Sequence, residues 1–247
     1  MVPMINPSLI SALAPTGKLR VGINSGNLVL ASKDPASGEL RGVAVDLGRE
    51  IGRRIGVEVE LVGFEAAGKM FDAAKTGAWD VAFLAVDPGR AGEIDFAPPY
   101  IEIEGVYLAP AGSALRVNAD VDRDGIRVGV SGKSAYDLFL SRELKKAQLV
   151  RASSQNSAID LITSGKVDVL AGVRQHLEMN LPKVPGGRIF PERFMAIQQS
   201  LGIVKGRGDA VKYLREFIED VKASGFVAQA IKKAGVQGVS IAPSAAN

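Results

Sequence analysis

The chain has no cysteine, so disulfides, thiolate nucleophiles and cysteine-bound metal are excluded, and thiol usage says nothing about compartment. A single histidine, His176, leaves too few ligands for a conventional zinc site, and no metal or other cofactor is expected. No stretch reaches the roughly 18 consecutive apolar residues that a membrane-spanning helix needs. Charge of one sign is also missing: 30 basic residues face 27 acidic ones, for a net charge of +3. That balance, without a basic cluster interleaved with aromatics, argues against a nucleic-acid partner and gives only a slight bias toward anionic ligands. The segment from Met1 to Arg20 lacks the basic stretch and continuous apolar core of a secretory leader. Two readings therefore stay open: a leader lies outside this sequence, or the protein resides in the cytoplasm. No internal repeat or low-complexity tract stands out.

The 247 residues allow one large domain or two modest ones, and the 47% apolar fraction is ordinary for a globular protein. Along the chain, strand patterns alternate with helix patterns, which predicts α/β layers. Residues 18–23 read as a first strand and 28–41 as a hairpin turning at Asp34–Gly38. Asp46 is expected to help open a helix striped by Leu47, Ile51 and Ile55 and ended by Gly56. A strand at 57–62, a helix carrying Met70, Phe71 and Ala74, and a buried strand at 81–85 complete the first series. Residues 101–109 read as an extended exit. A second series follows: a strand from Arg127, a helix from Ser134, a helix carrying Ala158, Leu161 and Ile162, and a strand at 167–171. Residues 197–204 are again extended, two helices close the fold, and the small, polar tail after Gly238 is expected to fray.

Four stretches carry a resemblance. Residues 38–56 (GELRGVAVDLGREIGRRIG) are similar to a G-x-x-x-G-[FV]-x-[VI]-D-L segment and its helix. Residues 75–96 (KTGAWDVAFLAVDPGRAGEIDF), with PPY at 98–100, are similar to a G-x-x-D-[VA] strand followed by T-x-x-R and a D-F pair. Residues 127–136 (RVGVSGKSAY) resemble a [KR]-V-G-V strand with its glycine turn, and 163–171 (TSGKVDVLA) resemble an S-G-x-V-D-A segment. In this order and spacing they resemble the family 3 extracellular solute-binding proteins, over about residues 17–235. The resemblance implies a periplasmic-binding-protein-like (type 2) α/β fold, with two lobes joined by two hinge strands and a ligand in the cleft between them. The expected division is an arm at 1–17, a discontinuous first lobe at 18–108 and 200–238, a second lobe at 109–199 and a flexible tail at 239–247. It further implies a periplasmic monomer without enzymatic activity that captures a carboxylate or amino acid by lobe closure and delivers it to an ABC-type permease. Competing readings are an intracellular ligand-sensing protein and a dehydratase-like enzyme on the same scaffold. For the enzyme, Glu65, Asp87 and Glu104 are the available acids, and their spacing marks no pair.

By this resemblance Arg90, the arginine of T-x-x-R, pairs with the ligand carboxylate, a role suited to its planar fork of donors. Its alternative is an ordinary surface ion pair with Glu93 or Asp95. Ala85 and Asp87 are expected beside it. Gly132, Lys133 and Ser134 lie between a strand and a helix, where free N–H groups can hold an anion, although Ser134 equally suits an N-cap. Gly132-Lys133-Ser134 is not a nucleotide loop, because the glycine needed five positions earlier is Arg127. Asn24 and Asn27, with Ser25, follow the first strand and serve either the cleft or the turn itself.

The departures bear on the ligand. Amino-acid binders of the family carry an acidic residue for the α-ammonium at a position that here falls on about Val173, next to Gly172 and Arg174. An ammonium buried there without a counter-charge is costly. The threonine of T-x-x-R is Asp87, the polar stretch before it is Phe83, Leu84 and Ala85, and a stacking aromatic is replaced by Ala66 or Ala67. Arg90 and Arg174, with Lys133 nearby, suggest a carboxylate or dicarboxylate; Asp87 could instead accept from a ligand amine. His176 and Trp79 are expected to be structural, and Gln198 and Gln199 to lie at the second crossing.

Overall fold

The computed structural model describes residues 6–245. It opens with a short helix α1 (Pro7–Leu13) and strand β1 (Lys18–Asn24), followed by a small hairpin of β2 (Ser32–Lys33) and β3 (Leu40–Arg41). Helix α2 (Val43–Ile55), β4 (Glu58–Phe64), α3 (Ala67–Asp72), β5 (Val81–Ala85) and β6 (Ile94–Phe96) complete the first series. Strand β7 (Ile101–Ala109) leads to β8 (Arg127–Ser131), α4 (Ala135–Glu143), β9 (Gln148–Ala152), α5 (Gln155–Thr163), β10 (Val169–Val173), α6 (Arg174–Asn180) and β11 (Arg188–Ile189). Strand β12 (Met195–Val204) returns, and α7 (Gly208–Ala223), α8 (Phe226–Ala234) and β13 (Ser240–Ile241) close the chain.

The main path of the large sheet runs β4-β1-β5-β12-β7-β10-β8-β9. Its two ends are parallel trios, β4-β1-β5 and β10-β8-β9, each typical of a βαβ series. Between them β12 and β7 run antiparallel, with Met195–Gln199 facing Ile101–Gly105 in register. Beyond that crossing β12 continues along β5, and β7 continues along β10. These two strands are the connection between two α/β lobes. The inner strands β5 and β10 are buried along their whole length, which is why both read as continuous apolar runs. The edge strand β4 instead alternates, with Glu58 and Glu60 exposed.

The two lobes share a device with no local signature in the sequence. In the first, Arg20 donates from its backbone N–H, Nε and Nη2 to Asp80 at 2.9, 3.0 and 2.8 Å. In the second, Arg127 donates from the same three groups to Asp168 at 2.8, 3.0 and 2.9 Å. Each aspartate ends a Gly-x-x-Asp tetrapeptide, 77–80 or 165–168, and each arginine side chain also donates to that glycine's carbonyl. The segments LRVGI and IRVGV are thus structural counterparts, although too short to register as a repeat.

Some boundaries differ from expectation. Helix α2 begins at Val43, before Asp46, and Asp46 pairs instead with Lys233 of α8 at 3.0 Å. The start is fixed by Gly42, which has φ +130° and a position where a Cβ would lie 2.5 Å from the Leu30 carbonyl oxygen. The tail expected to fray is held as far as it is described: β13 pairs with β7, Ala242 is buried and donates to the Tyr100 carbonyl, and Lys222 bonds the Pro243 carbonyl. Backbone pairing to a free stretch of β7 outweighs the weak propensity of the sequence. The ends of the expected arm and tail, residues 1–5 and 246–247, lie outside the described residues.

Candidate functional site

Ligand sites in α/β sheets form beyond the C-terminal ends of the strands, and the residues there converge in this fold. Asn24 and Asn27 follow β1, and Ala85 and Arg90 end and follow β5. Ser134, Ala135 and Tyr136 follow β8, Gln155 follows β9, Val173 ends β10, and Ile197 and Gln199 lie on β12. With Ala67, Phe83 and Leu84 they enclose a cavity of about 30 Å³ between the lobes. By the space one water needs, this holds roughly two waters. An amino-acid-sized solute therefore enters only when the lobes part. A larger depression of about 550 Å³ between α2 and α8 is lined by the first lobe alone and gathers no such set of buried groups.

Among the described residues, Arg90 is the only charged side chain lining the cavity, and it is 1% exposed. The surface-pair alternative with Glu93 or Asp95 is not what the structure shows. Nη1 donates to the Ala85 carbonyl at 2.9 Å, Nη2 donates across the cleft to the Lys133 carbonyl at 2.9 Å, and Nε is buried with no partner. Burial lowers its pKa to about 10, opposed by the nearby Asp87 carboxylate, so it stays charged at neutral pH. Asp87 does not offer itself to a ligand amine: it accepts from the Gly89 N–H at 2.7 Å and from Arg142 of the second lobe at 2.8 Å.

The anion seat expected at 132–134 is already filled. Lys133 takes a left-handed φ of +57°, uncommon outside glycine, which brings its carbonyl to Arg90. The N–H groups of Gly132, Lys133 and Ser134 donate to the Ala152 carbonyl, to Asp137 Oδ2 and to the Ser131 carbonyl. An internal carboxylate, Asp137, thus sits where an outside anion was expected. Ser134 Oγ accepts from the Asp137 N–H at 3.1 Å, the N-cap alternative, while its side chain still borders the cavity. The Lys133 ammonium points away to Asp72 at 2.6 Å. Arg174 is not brought to the cavity either. It bonds Glu104 of β7 and the Pro191 carbonyl, because α6 starts just past the end of β10 and leans on the crossing strands. The dicarboxylate suggestion, which counted three cations, loses two of them.

Asn24 and Asn27 both line the cavity and perform turn chemistry, their Oδ1 atoms accepting from the Gly26 and Val29 N–H groups. Three polar cavity residues lie outside the expected ligand contacts: Gln155, Tyr136, and Gln199, which was expected only at the second crossing. Gln155 is 8% exposed, and its Oε1 is buried without a partner. It is the first residue of α5, directly after a parallel strand, which is the signal that could have found it. His176 Nε2 lies 3.2 Å from the Gln155 carbonyl. A carbonyl only accepts, so Nε2 carries the proton, and burial lowers the His176 pKa and keeps the ring neutral. Burial pushes the Tyr136 hydroxyl up to about 12, so it too is neutral. Trp79 packs inside the first lobe, its Nε1 donating to the Met70 carbonyl at 2.8 Å. The acids considered for catalysis lie elsewhere: Glu65 is exposed and paired with Lys69, Asp87 with Arg142, and Glu104 with Arg174.

Residues 19–236 match the family of bacterial extracellular solute-binding proteins, family 3, and the chain belongs to it. It is 20% identical over 228 residues to the glutamine-binding protein of an ABC transporter of Bacillus subtilis, spanning 91% of this chain and 83% of that protein. The fold superposes on the crystal structure of the L-cysteine solute receptor of Neisseria gonorrhoeae with a TM-score of 0.78 at 20% identity, covering 91% and 92% of the two chains. An ancestral amino-acid-binding protein, a precursor of cyclohexadienyl dehydratase, aligns with a TM-score of 0.75 at 20% identity over 91% and 98%. The chain is thus a solute-binding protein of two-lobed fold. No helix among the described residues is long and apolar enough to cross a membrane.

Proposed function

We propose that this protein captures a small carboxylate-bearing solute between its lobes, outside the cytoplasmic membrane, and delivers it as a monomer to an ABC-type permease. One observation carries the reading: Arg90 is the sole charged group in the interlobe cavity, is nearly fully buried, and has an unpartnered donor at Nε. A buried guanidinium with a vacant donor favours an anion strongly, because both desolvation and a missing hydrogen bond are then offset. The named relatives bind amino acids, and the carboxylate is the part those molecules share with other small acids.

Thermal unfolding against a panel of small carboxylates and amino acids, with Arg90→Ala run in parallel, tests this. A ligand at a hundred times its dissociation constant stabilises by about 2.7 kcal/mol, which raises the melting temperature by several degrees. The expected result is a shift with one class of acid that vanishes in Arg90→Ala, each protein being compared with its own unliganded melt. An equal shift in both proteins removes Arg90 from binding and sinks the reading.

A further inference from the structure

The cavity has an unusual charge sum. Among the described residues its lining supplies one positive group, Arg90, and no negative one. A zwitterionic amino acid would satisfy Arg90 with its carboxylate and leave its ammonium buried without a counter-charge. Val173, which ends β10 and lines the cavity at 2% exposure, offers no charge to that ammonium. Asp87, the remaining nearby acid, is not part of the lining, and its two oxygens accept from Gly89 and from Arg142. An unpaired buried ammonium costs several kcal/mol. A monoanion with a neutral donor leaves no net charge beside Arg90.

The uncharged polar lining says where that donor goes. Gln155 Oε1 is a buried acceptor with no partner, on the second lobe, while Arg90 Nε is a buried donor with no partner, on the first. A ligand that supplies an acceptor to one and a hydrogen to the other satisfies both and ties the lobes together. Resting on Arg90 as the carboxylate anchor, we propose that Gln155 is the specificity-determining residue of the cleft and that the site selects a hydroxy monocarboxylate over the corresponding amino acid.

Titration calorimetry with L-lactate, L-alanine and propionate, which share three carbons, reads this directly. Lactate is expected to bind the native chain at least about tenfold tighter than either of the others, a difference of roughly 1.4 kcal/mol. Gln155→Leu should remove the preference of the cleft for lactate over propionate, with a cooperative thermal unfolding transition of the unliganded variant showing that it is folded. Gln155→Glu, which adds the absent negative charge, should weaken lactate and strengthen alanine. Alanine binding the native chain as tightly as lactate, with binding still lost in Arg90→Ala, overturns the hydroxy-acid selection and leaves the carboxylate anchor standing. Heat that persists in Arg90→Ala, or no heat from any of the three acids, overturns both.

Discussion

At the scale of single residues, the same ionic contact plays in two environments. The side chain of Asp80 is wholly buried and that of Asp168 is 34% exposed, yet each accepts three hydrogen bonds from one arginine. Removing one charge of a buried pair leaves the other unmatched, a loss of about 3 kcal/mol, while solvent softens the loss at an exposed pair to about 1 kcal/mol. Chemical denaturation should therefore find Asp80→Asn well below Asp168→Asn in stability; equal losses would show that burial does not govern this contact. Sequence alone singled out Arg90 because a motif marks it, and Asn24 and Asn27 because they follow a strand, and all three line the cavity. It missed Gln155, which opens a helix after a strand but lies in none of the four stretches that carry the resemblance. It overcounted cations at Lys133 and Arg174, whose charges are spent on Asp72 and Glu104, residues distant in sequence.

Among the elements, α2 shows how pairing becomes pH dependence. Glu50 accepts from Arg53 at 2.7 Å and from Arg54 at 2.8 Å, and Arg54 reaches on to Asp220 of α7 and lies over the Phe217 ring. The hydrogen bond from Arg53, ahead of the one from Arg54, lowers the Glu50 pKa from its ordinary 4.5 to about 2, against the opposing effect of burial. A depressed carboxylate contributes stability that is complete above about 4.5 and is lost as pH falls toward 2. The stability gap between the native chain and Glu50→Gln should be constant near neutral pH and shrink between pH 4.5 and 2. A gap that does not change with pH would remove Glu50 from the acid response. Most elements were legible because apolar periodicity and left-handed glycines at Gly56 and Gly77 mark their bodies and ends. The start of α2 and the pairing of β13 were not, since a close backbone approach at Gly42 and an open stretch of β7 belong to the assembled sheet.

On the scale of the whole molecule, the lobes are closed on contacts of their own. Arg142 reaches Asp87, Lys133 reaches Asp72, Arg90 reaches the Lys133 carbonyl, and Gly68 packs where a Cβ would lie 2.7 Å from Lys133 Cβ. The Lys133 carbonyl thus holds one of the two outer Arg90 donors, and an incoming carboxylate competes with it. A ligand shifts the balance of open and closed forms only by its difference in affinity for them. Arg142→Ala leaves the 3% exposed Asp87 without its cation and should enlarge the radius of gyration of the unliganded protein in solution scattering, with ligand restoring the smaller value. Identical scattering curves would mean that this pair does not hold the closed form. The sequence by itself determined the α/β class, the two series, the crossing strands and the family, because each rests on local periodicity and on motifs read in order. Only the tertiary structure decided which charges face the cleft. That depends on pairings between residues far apart in the chain, and a charged side chain becomes a site only where folding leaves it buried without its own counter-ion.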